Sequence, residues 1–464
     1  MPTSWRLYAL FFLSGLSALV YEIIWQRMLN LVFGVSTLSV SAVLAAFMGG
    51  LALGGFLFSA AADQAKRPLR LYALLEAGIA VSGLLVPAAL VLFAGFYTAL
   101  HHALEPGPWT GALLRFAGAA LALGIPATLM GATLPVMGRL ALREHGQLAT
   151  TFSVLYAANT LGAVLGAALT GFFLLRLLGM QVTSWVAAGV NLLVAASACW
   201  MRESEPPAAA RAKAETCSTG TSTGTLPLLL AALTGFGSMA FEVGWARILG
   251  ILTSNSAYGF ALILTVMLLG LGLGSLIQGW WRRGHADPWR WLALCQWLLA
   301  GVTMTVLPFF HVAPAWLDRW CDGSSAGAVF LGELLLTGGA LFVPAILMGM
   351  SLPLLVAGTV RDPARFGISL GRIYSANTLG CVAGAFAAGF VLIPWLGIQN
   401  TMGLLIVLAL TVGICAWPRA TLPGRSWRWA ALAVVILAVT GWQLPPPGIY
   451  LKSALPPSRQ LLFY

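Results

Sequence analysis

The sequence predicts an all-α polytopic membrane protein built from two parallel six-helix repeats. Three observations carry that expectation. Hydrophobic residues make up 59% of the 464-residue chain and charged residues 8%, a ratio at which a soluble protein of this size could not cover its surface. The apolar residues fall into stretches long enough to cross a bilayer, about six in each half. The polar residues inside those stretches recur in the same order about 220 residues further on.

In order, the stretches run at roughly 7–27, 38–62, 71–97, 111–139, 153–176 and 179–201, then 227–247, 257–281, 290–312, 326–355, 369–394 and 398–417. A weaker thirteenth, Trp427–Leu444, is just long enough to span. Residues 1–201 therefore read as the first repeat and 226–418 as the second, with a linker at 202–225 between them. Residues 419–464 hold the thirteenth stretch and a Pro-rich tail. The linker, RESEPPAAARAKAETCSTGTSTGT, is the one clear internal drop in hydrophobicity and reads as a flexible loop. An even number of spans per half gives both halves one orientation, related by an axis along the membrane normal. The N-terminal run lacks a small-residue cleavage site and has an internal copy at 227–247, so it reads as a membrane helix and not as a signal peptide.

The net charge of +11 follows topology. With the N-terminus in the cytoplasm, the inward loops hold Arg6, Lys66, Arg67, Arg70, Arg139, Arg143, Arg202, Arg211 and Lys213, then Arg282, Arg283, Arg290, Arg361, Arg365, Arg372, Arg419, Arg425 and Arg428. The outward ends of the twelve spans hold Arg27, Arg115, Arg176, Arg247 and Arg319. That is a positive-inside bias, and it removes the case for nucleic acid as a partner; the lipid bilayer is the first partner. The six cysteines show no CxxC spacing, and no structural disulfide is expected. His101, His102 and His311 fall in outer loops and read as solvated. No metal site, cofactor or nucleophile–base set is expected, and no residue is assigned as catalytic.

Three strings mark each repeat. SALVYEIIWQRMLNLVFGVS (Ser17–Ser36) pairs with SMAFEVGWARILGILTSNS (Ser238–Ser256), setting Tyr21, Glu22, Trp25 and Arg27 against Phe241, Glu242, Trp245 and Arg247. PATLMGATLP (Pro126–Pro135) pairs with PAILMGMSLP (Pro344–Pro353), and YAANTLGAVLGA (Tyr156–Ala167) with YSANTLGCVAGA (Tyr374–Ala385). Glu22 and Glu242 each lie deep in an apolar span, where an acid costs about 3 kcal/mol to insert. Acids so placed face a cavity or a partner charge. Either they pair with Arg27 and Arg247 or another span, or they form a proton-coupling or cation-binding site. Arg115 and Glu333 occupy equivalent positions on the fourth span of each half with opposite sign, as a salt bridge across an outer gate or as plain interfacial groups. Glu76 aligns with Gln296 on the third span, where it reads as a packing residue.

Tyr156 and Asn159, like Tyr374 and Asn377, are three apart and share a helix face. They hydrogen-bond a neighbouring broken helix or contact substrate. Pro126 and Pro135 around Gly131, and Pro344 and Pro353 around Gly349, each remove a backbone donor and leave a carbonyl to be satisfied. A kinked or broken helix is expected at both copies, as a packing device or as a hinge. Gly50/Gly54, Gly162/Gly166, Gly270/Gly274 and Gly380/Gly384 are GxxxG pairs that let helix backbones touch.

The repeated YExxWxR, PAxLMGxxLP and YxANTLGxxxG strings resemble the membrane part of bacterial fused major facilitator superfamily (MFS)/spermidine-synthase proteins, over about residues 5–464. The resemblance implies an MFS-like fold in a bacterial inner membrane. It also implies a polyamine-related small-molecule substrate, and an aminopropyltransferase-like domain following the membrane part. The tail QLPPPGIYLKSALPPSRQLLFY (Gln443–Tyr464) resembles the leading edge of that domain. The chain itself carries no Gly-rich cofactor loop for such chemistry. The resemblance further implies that the first and fourth spans of each half line a central cavity and that the second and fifth join the halves through their GxxxG faces. The family's loop signature after the second span is reduced here to Asp63, Lys66 and Arg67, a departure from the standard gating loop. Two functions follow: alternating-access transport of a small cationic amine, or an anchor and scaffold for a synthase domain.

The charge bias makes a direct prediction. Cys217 in the linker should resist an impermeant thiol reagent added outside intact cells and react once the membrane is opened. Labelling from outside would overturn the inward N-terminus and linker.

Overall fold

Hydrocarbon offers backbone groups no hydrogen bonds, and a helix satisfies them locally. The computed structural model describes residues 4–417, apart from 34–36, 105–106, 146–147, 202–223, 253–256, 282–286, 312, 314–315, 317–318, 321–324 and 361–365. Among these it holds twelve α-helices and no strand. The first half contributes α1 (Ser4–Phe33), α2 (Thr37–Gln64), α3 (Pro68–Leu104), α4 (Pro108–His145), α5 (Leu148–Leu169) and α6 (Leu175–Trp200). The second contributes α7 (Thr225–Leu252), α8 (Ala257–Trp281), α9 (Pro288–Val306), α10 (Ala326–Thr359), α11 (Phe366–Phe386) and α12 (Ile393–Ala416). The thirteenth stretch, the tail and most of the linker lie outside the described residues.

Ten continuous helical stretches are long and apolar enough to cross a membrane, and two of them, Thr151–Trp200 and Phe366–Ala416, each hold two of the expected spans. Each passes from its fifth helix through a π-helical segment, Thr170–Leu174 or Ala387–Leu392, and then breaks at a glycine. Gly179 has φ 71° and ψ 175°, Gly397 φ 75° and ψ 165°, a region that residues with a Cβ essentially do not enter. The hydroxyls of Thr183 and Thr401 donate to the carbonyls of Gly179 and Gly397 at 2.6 and 2.7 Å, bracing the first turn after each break.

The breaks were expected elsewhere. α4 and α10 run on as helices through Pro126, Pro135, Pro344 and Pro353. One freed carbonyl shows how a proline is accommodated. Pro353 leaves the Gly349 carbonyl without its N–H four residues on, and the Ser275 hydroxyl of α8 donates to that oxygen at 3.1 Å. A neighbouring helix supplies the missing donor, so α10 continues.

The GxxxG pairs also pack differently from what the resemblance implied. They join helices within each half. Gly50 and Gly54 of α2 lie against Ala127 and Thr128 of α4, while Gly131 of α4 lies against the Leu51 carbonyl of α2. Gly162 and Gly166 of α5 lie on the Phe12 and Leu16 carbonyls of α1. The second half repeats both arrangements. Gly270, Gly274 and Gly349 join α8 to α10, and Gly380 and Gly384 set α11 on the Ala232 and Phe236 carbonyls of α7. A Cβ at most of these positions would overlap backbone. The halves do meet through α2 against α11 and α5 against α8, but on other faces. Gly55 takes the Tyr374 ring, Gly371 takes Ser59, Gly272 takes Leu161, and the Ser375 hydroxyl donates to the Ala52 carbonyl at 3.0 Å.

Gly380→Leu should therefore disrupt the second half internally, lowering thermal stability by at least the roughly 1–3 kcal/mol of an overpacked core. Gly95→Leu, where a Cβ meets open space, should melt like the wild type. Equal melting temperatures for the two variants in detergent would refute the close contact of α11 with α7.

Candidate functional site

The YExxWxR string separates by helical angle. Tyr21 and Trp25 are four apart and stack on each other, ring centroids 4.8 Å apart, wholly buried in the first half. Trp245 and Phe241 are buried likewise in the second. Glu22 and Glu242 turn to a cavity of about 240 Å³ between the halves. Arg27 and Arg247, five residues on, are rotated by about 140° at 100° per residue. They are exposed, do not line the cavity and make no ion pair with the acids. Of the alternatives open for these acids, pairing of Glu22 with Arg27 and of Glu242 with Arg247 is thus not present.

The cavity is lined by the first, second, fourth and fifth helices of both halves, and by Ile79 of α3 and Asn191 of α6 from the first half alone. Glu22 and Glu242 are the charged side chains among its described lining residues, one from each half. Around them stand Tyr156, Tyr374, Thr133, Ser351 and Cys381, with Met48, Met130, Met239, Met267 and Met348 as adaptable apolar wall. The site is acidic, with aromatic faces and no basic group of its own.

Asn159 and Asn377 line the cavity and also brace it. Asn159 Nδ2 donates to the Phe11 carbonyl of α1, and Asn377 Nδ2 to the Ala231 carbonyl of α7, both at 3.1 Å. Their partner is the first helix of the half and not the proline-bearing fourth. Arg115 is bound inside its own half, its Nε donating to the Tyr97 hydroxyl at 3.1 Å. It makes no salt bridge to Glu333, and neither residue lines the cavity. Of the residues expected to act as hinges, Gly349 reaches the wall, whereas Gly131, Pro126, Pro135, Pro344 and Pro353 do not. Polar lining residues such as Thr133, Ser351 and Cys381 lay unremarked inside strings already noted. Asn191 had no signal, because its counterpart two hundred residues on is Ala409.

The halves touch on both sides of the cavity. On the side of the N-terminus, Asp63 at the end of α2 accepts hydrogen bonds from the Gly367 and Ile368 N–H groups, both at 2.9 Å. These are among the first amides of α11, which no turn of that helix can satisfy, so a carboxylate from one half caps a helix of the other. Arg139 of α4 stands 3.7 Å from Asp63. Ser153 of α5 donates to Gln278 of α8, a further hydrogen bond between the halves. Asp63 was noted in the sequence only as the remnant of a loop signature; the geometry gives it a contact between halves. On the far side, Phe172 of the first π-helical segment packs against Tyr258 and Phe330 at 6.4 and 5.7 Å. Its repeat mate Phe390 packs against Phe116.

No protein-family model matches the chain. Its sequence is 27% identical over 214 residues to polyamine aminopropyltransferase 2 of Streptomyces coelicolor, which covers 43% of this chain and 36% of that protein. Solved structures resemble it over nearly the whole length. The human organic anion transporter MFSD10 superposes with a TM-score of 0.55 at 17% identity, over 90% of this chain and 100% of its own. A structure of the MFS transporter FucP in the outward conformation gives 0.57 at 15%, over 90% and 98%. The nucleoside transporter NupG gives 0.52 at 15%, over 90% and 98%. The chain shares its fold with these transporters.

Removing the inter-half cap should loosen one end of the cavity. In a background with Cys381 as the single cysteine, Asp63→Asn should speed its modification by a small thiol reagent about tenfold or more. That is the population shift expected from about 1.5–3 kcal/mol of lost charged hydrogen bonding. An unchanged rate would show that the cap does not hold the halves together.

Proposed function

We propose that this chain is a transporter that carries small cationic amines, polyamine-related metabolites among them, across a bacterial inner membrane by alternating access. One observation carries the reading. Two acids from repeat-equivalent positions face one cavity between the halves, and among the described residues no arginine or lysine lines it. Carboxylates in a low-dielectric site favour a bound cation. Tyr156 and Tyr374 add ring faces of the kind that attract ammonium groups. Residues 1–201 and 226–418 act as the two rocking units, with the N-terminus and linker in the cytoplasm. The proline-bearing α4 and α10 flex between them around Gly131 and Gly349. The partial likeness to a polyamine aminopropyltransferase supports the polyamine class. It equally supports a second reading, in which the helices anchor and present a synthase domain and move nothing.

Putrescine and spermidine uptake into vesicles separates the two. Glu22→Gln and Glu242→Gln keep shape and remove charge, and each should weaken amine uptake at least tenfold. A buried charge pair losing one member costs about 2–5 kcal/mol. Expression should be unaffected. If both variants transport as well as the wild type with the same pH dependence, the acids are structural and the scaffold reading stands.

A further inference from the structure

A third carboxyl lies beside the cavity, fully buried and in the first half alone. Glu76 of α3 is 0% exposed, eight residues or roughly 12 Å into its helix at 1.5 Å per residue. Its Oε2 accepts from Asn191 Nδ2 of α6 at 2.6 Å, while its Oε1 is buried with no hydrogen-bond partner. Two further buried oxygens nearby are equally bare, Asn191 Oδ1 and the Tyr21 hydroxyl of α1. Ser14 of α1 and Tyr72 of α3 stand close to the carboxyl, and the Tyr72 hydroxyl is turned to the Leu10 carbonyl, donating to it at 3.4 Å. The titratable groups facing Glu76 are Tyr21 and Tyr72. α6 offers the neutral Asn191, and among the described side chains α4 offers no charge. The described basic side chains of these helices are elsewhere: Arg6, Arg27, Arg70 and Arg176 are exposed, Arg115 is on Tyr97 and Arg139 on Asp63.

The second half is an internal control. At the repeat-equivalent positions Glu76 becomes Gln296, Asn191 becomes Ala409, Tyr21 becomes Phe241, Tyr72 becomes Leu292 and Ser14 becomes Thr234. Gln296 donates to Ser351 at 2.9 Å. The same fold is thus packed there without an acid, so packing alone does not call for Glu76. A lone carboxylate taken out of water costs several kcal/mol unless a positive charge joins it. Three bare oxygens fall short of the six or more that a calcium or magnesium ion takes. Among the described residues no cluster of acids, histidines or cysteines could hold one. Asn191, which hydrogen-bonds Glu76, and Ser14, which stands beside it, both line the cavity and give the carboxyl a polar path to that space.

We propose that Glu76 is a proton-binding site of the first half, loaded from the central cavity through Ser14 and Asn191 and distinct from the amine-binding pair Glu22 and Glu242. The coupling role rests on the transport reading; the proton site itself does not. The proton bonds to Oε1, converting carboxylate to neutral acid, and leaves by the same path.

Infrared difference spectroscopy of the purified full-length protein, titrated across pH without substrate, tests the site. A protonated-carboxyl band should be present in wild type and in Glu22→Gln and be lost in Glu76→Gln. Asn191→Ala, which imports the second half's own residue, should shift that band or its midpoint. A band that survives Glu76→Gln overturns the proposal. So does one that ignores Asn191→Ala, which decides the matter if Glu76→Gln cannot be purified. A band displaced by sodium at constant pH would make the site a sodium site and overturn it too. Coupling is read separately, in proteoliposomes. A pH gradient should raise putrescine accumulation at least fivefold in wild type and not in Glu76→Gln. If no amine is transported by any form, the transport reading fails while the infrared result still decides the proton site.

Discussion

Backbone touching backbone is the constraint on which the rest of this structure depends. Lipid supplies no hydrophobic force between helices, so α1 and α5, and α2 and α4, are held by contacts in which a glycine admits a neighbour's carbonyl. Those contacts fix the rotation of each helix. Once α5 is seated on α1 through Gly162 and Gly166, Asn159 must meet the Phe11 carbonyl and Tyr156 must face inward. Glu22 is aimed on the same account, since the stack of Tyr21 on Trp25 occupies the neighbouring face of α1. The acids are positioned by small residues that never touch them.

Much of this was legible in the chain. Twelve spans, a parallel duplication and paired acids at the centre could be read from apolar run lengths and from strings that recur in order. What the runs could not show was which face of a helix meets which neighbour. A GxxxG pair announces close contact but does not name the partner, and here the partner is in the same half. The helix breaks were placed at the prolines because proline is the familiar breaker. The chain instead spends its disruption at Gly179 and Gly397, and Ser275 shows why Pro353 is tolerated. A signal existed: Leu178-Gly179-Met180-Gln181 and Leu396-Gly397-Ile398-Gln399 repeat each other, with Thr183 and Thr401 following. Two glycines among 52 carry little weight unless the repeat is used as a ruler.

The same ruler hides what is not duplicated. Asn191 and Asp63 have no like residue in the other copy, so comparison of the halves passes over them. The first half alone sends its third and sixth helices to the cavity wall. Duplicated positions here build the frame, and the unmatched ones give the two halves different chemistry.

The cap on α11 ties mechanics to wetting. The Gly367 and Ile368 amides have Asp63 as their partner only while the two halves lie together. Drawn apart, the two amides would lose their acceptor at once, and only solvent could replace it. Separation at that end is therefore inseparable from flooding it. A dry gap would be too costly to form, so the crevice fills as it widens and its hydration enters directly into the free energy of the open form.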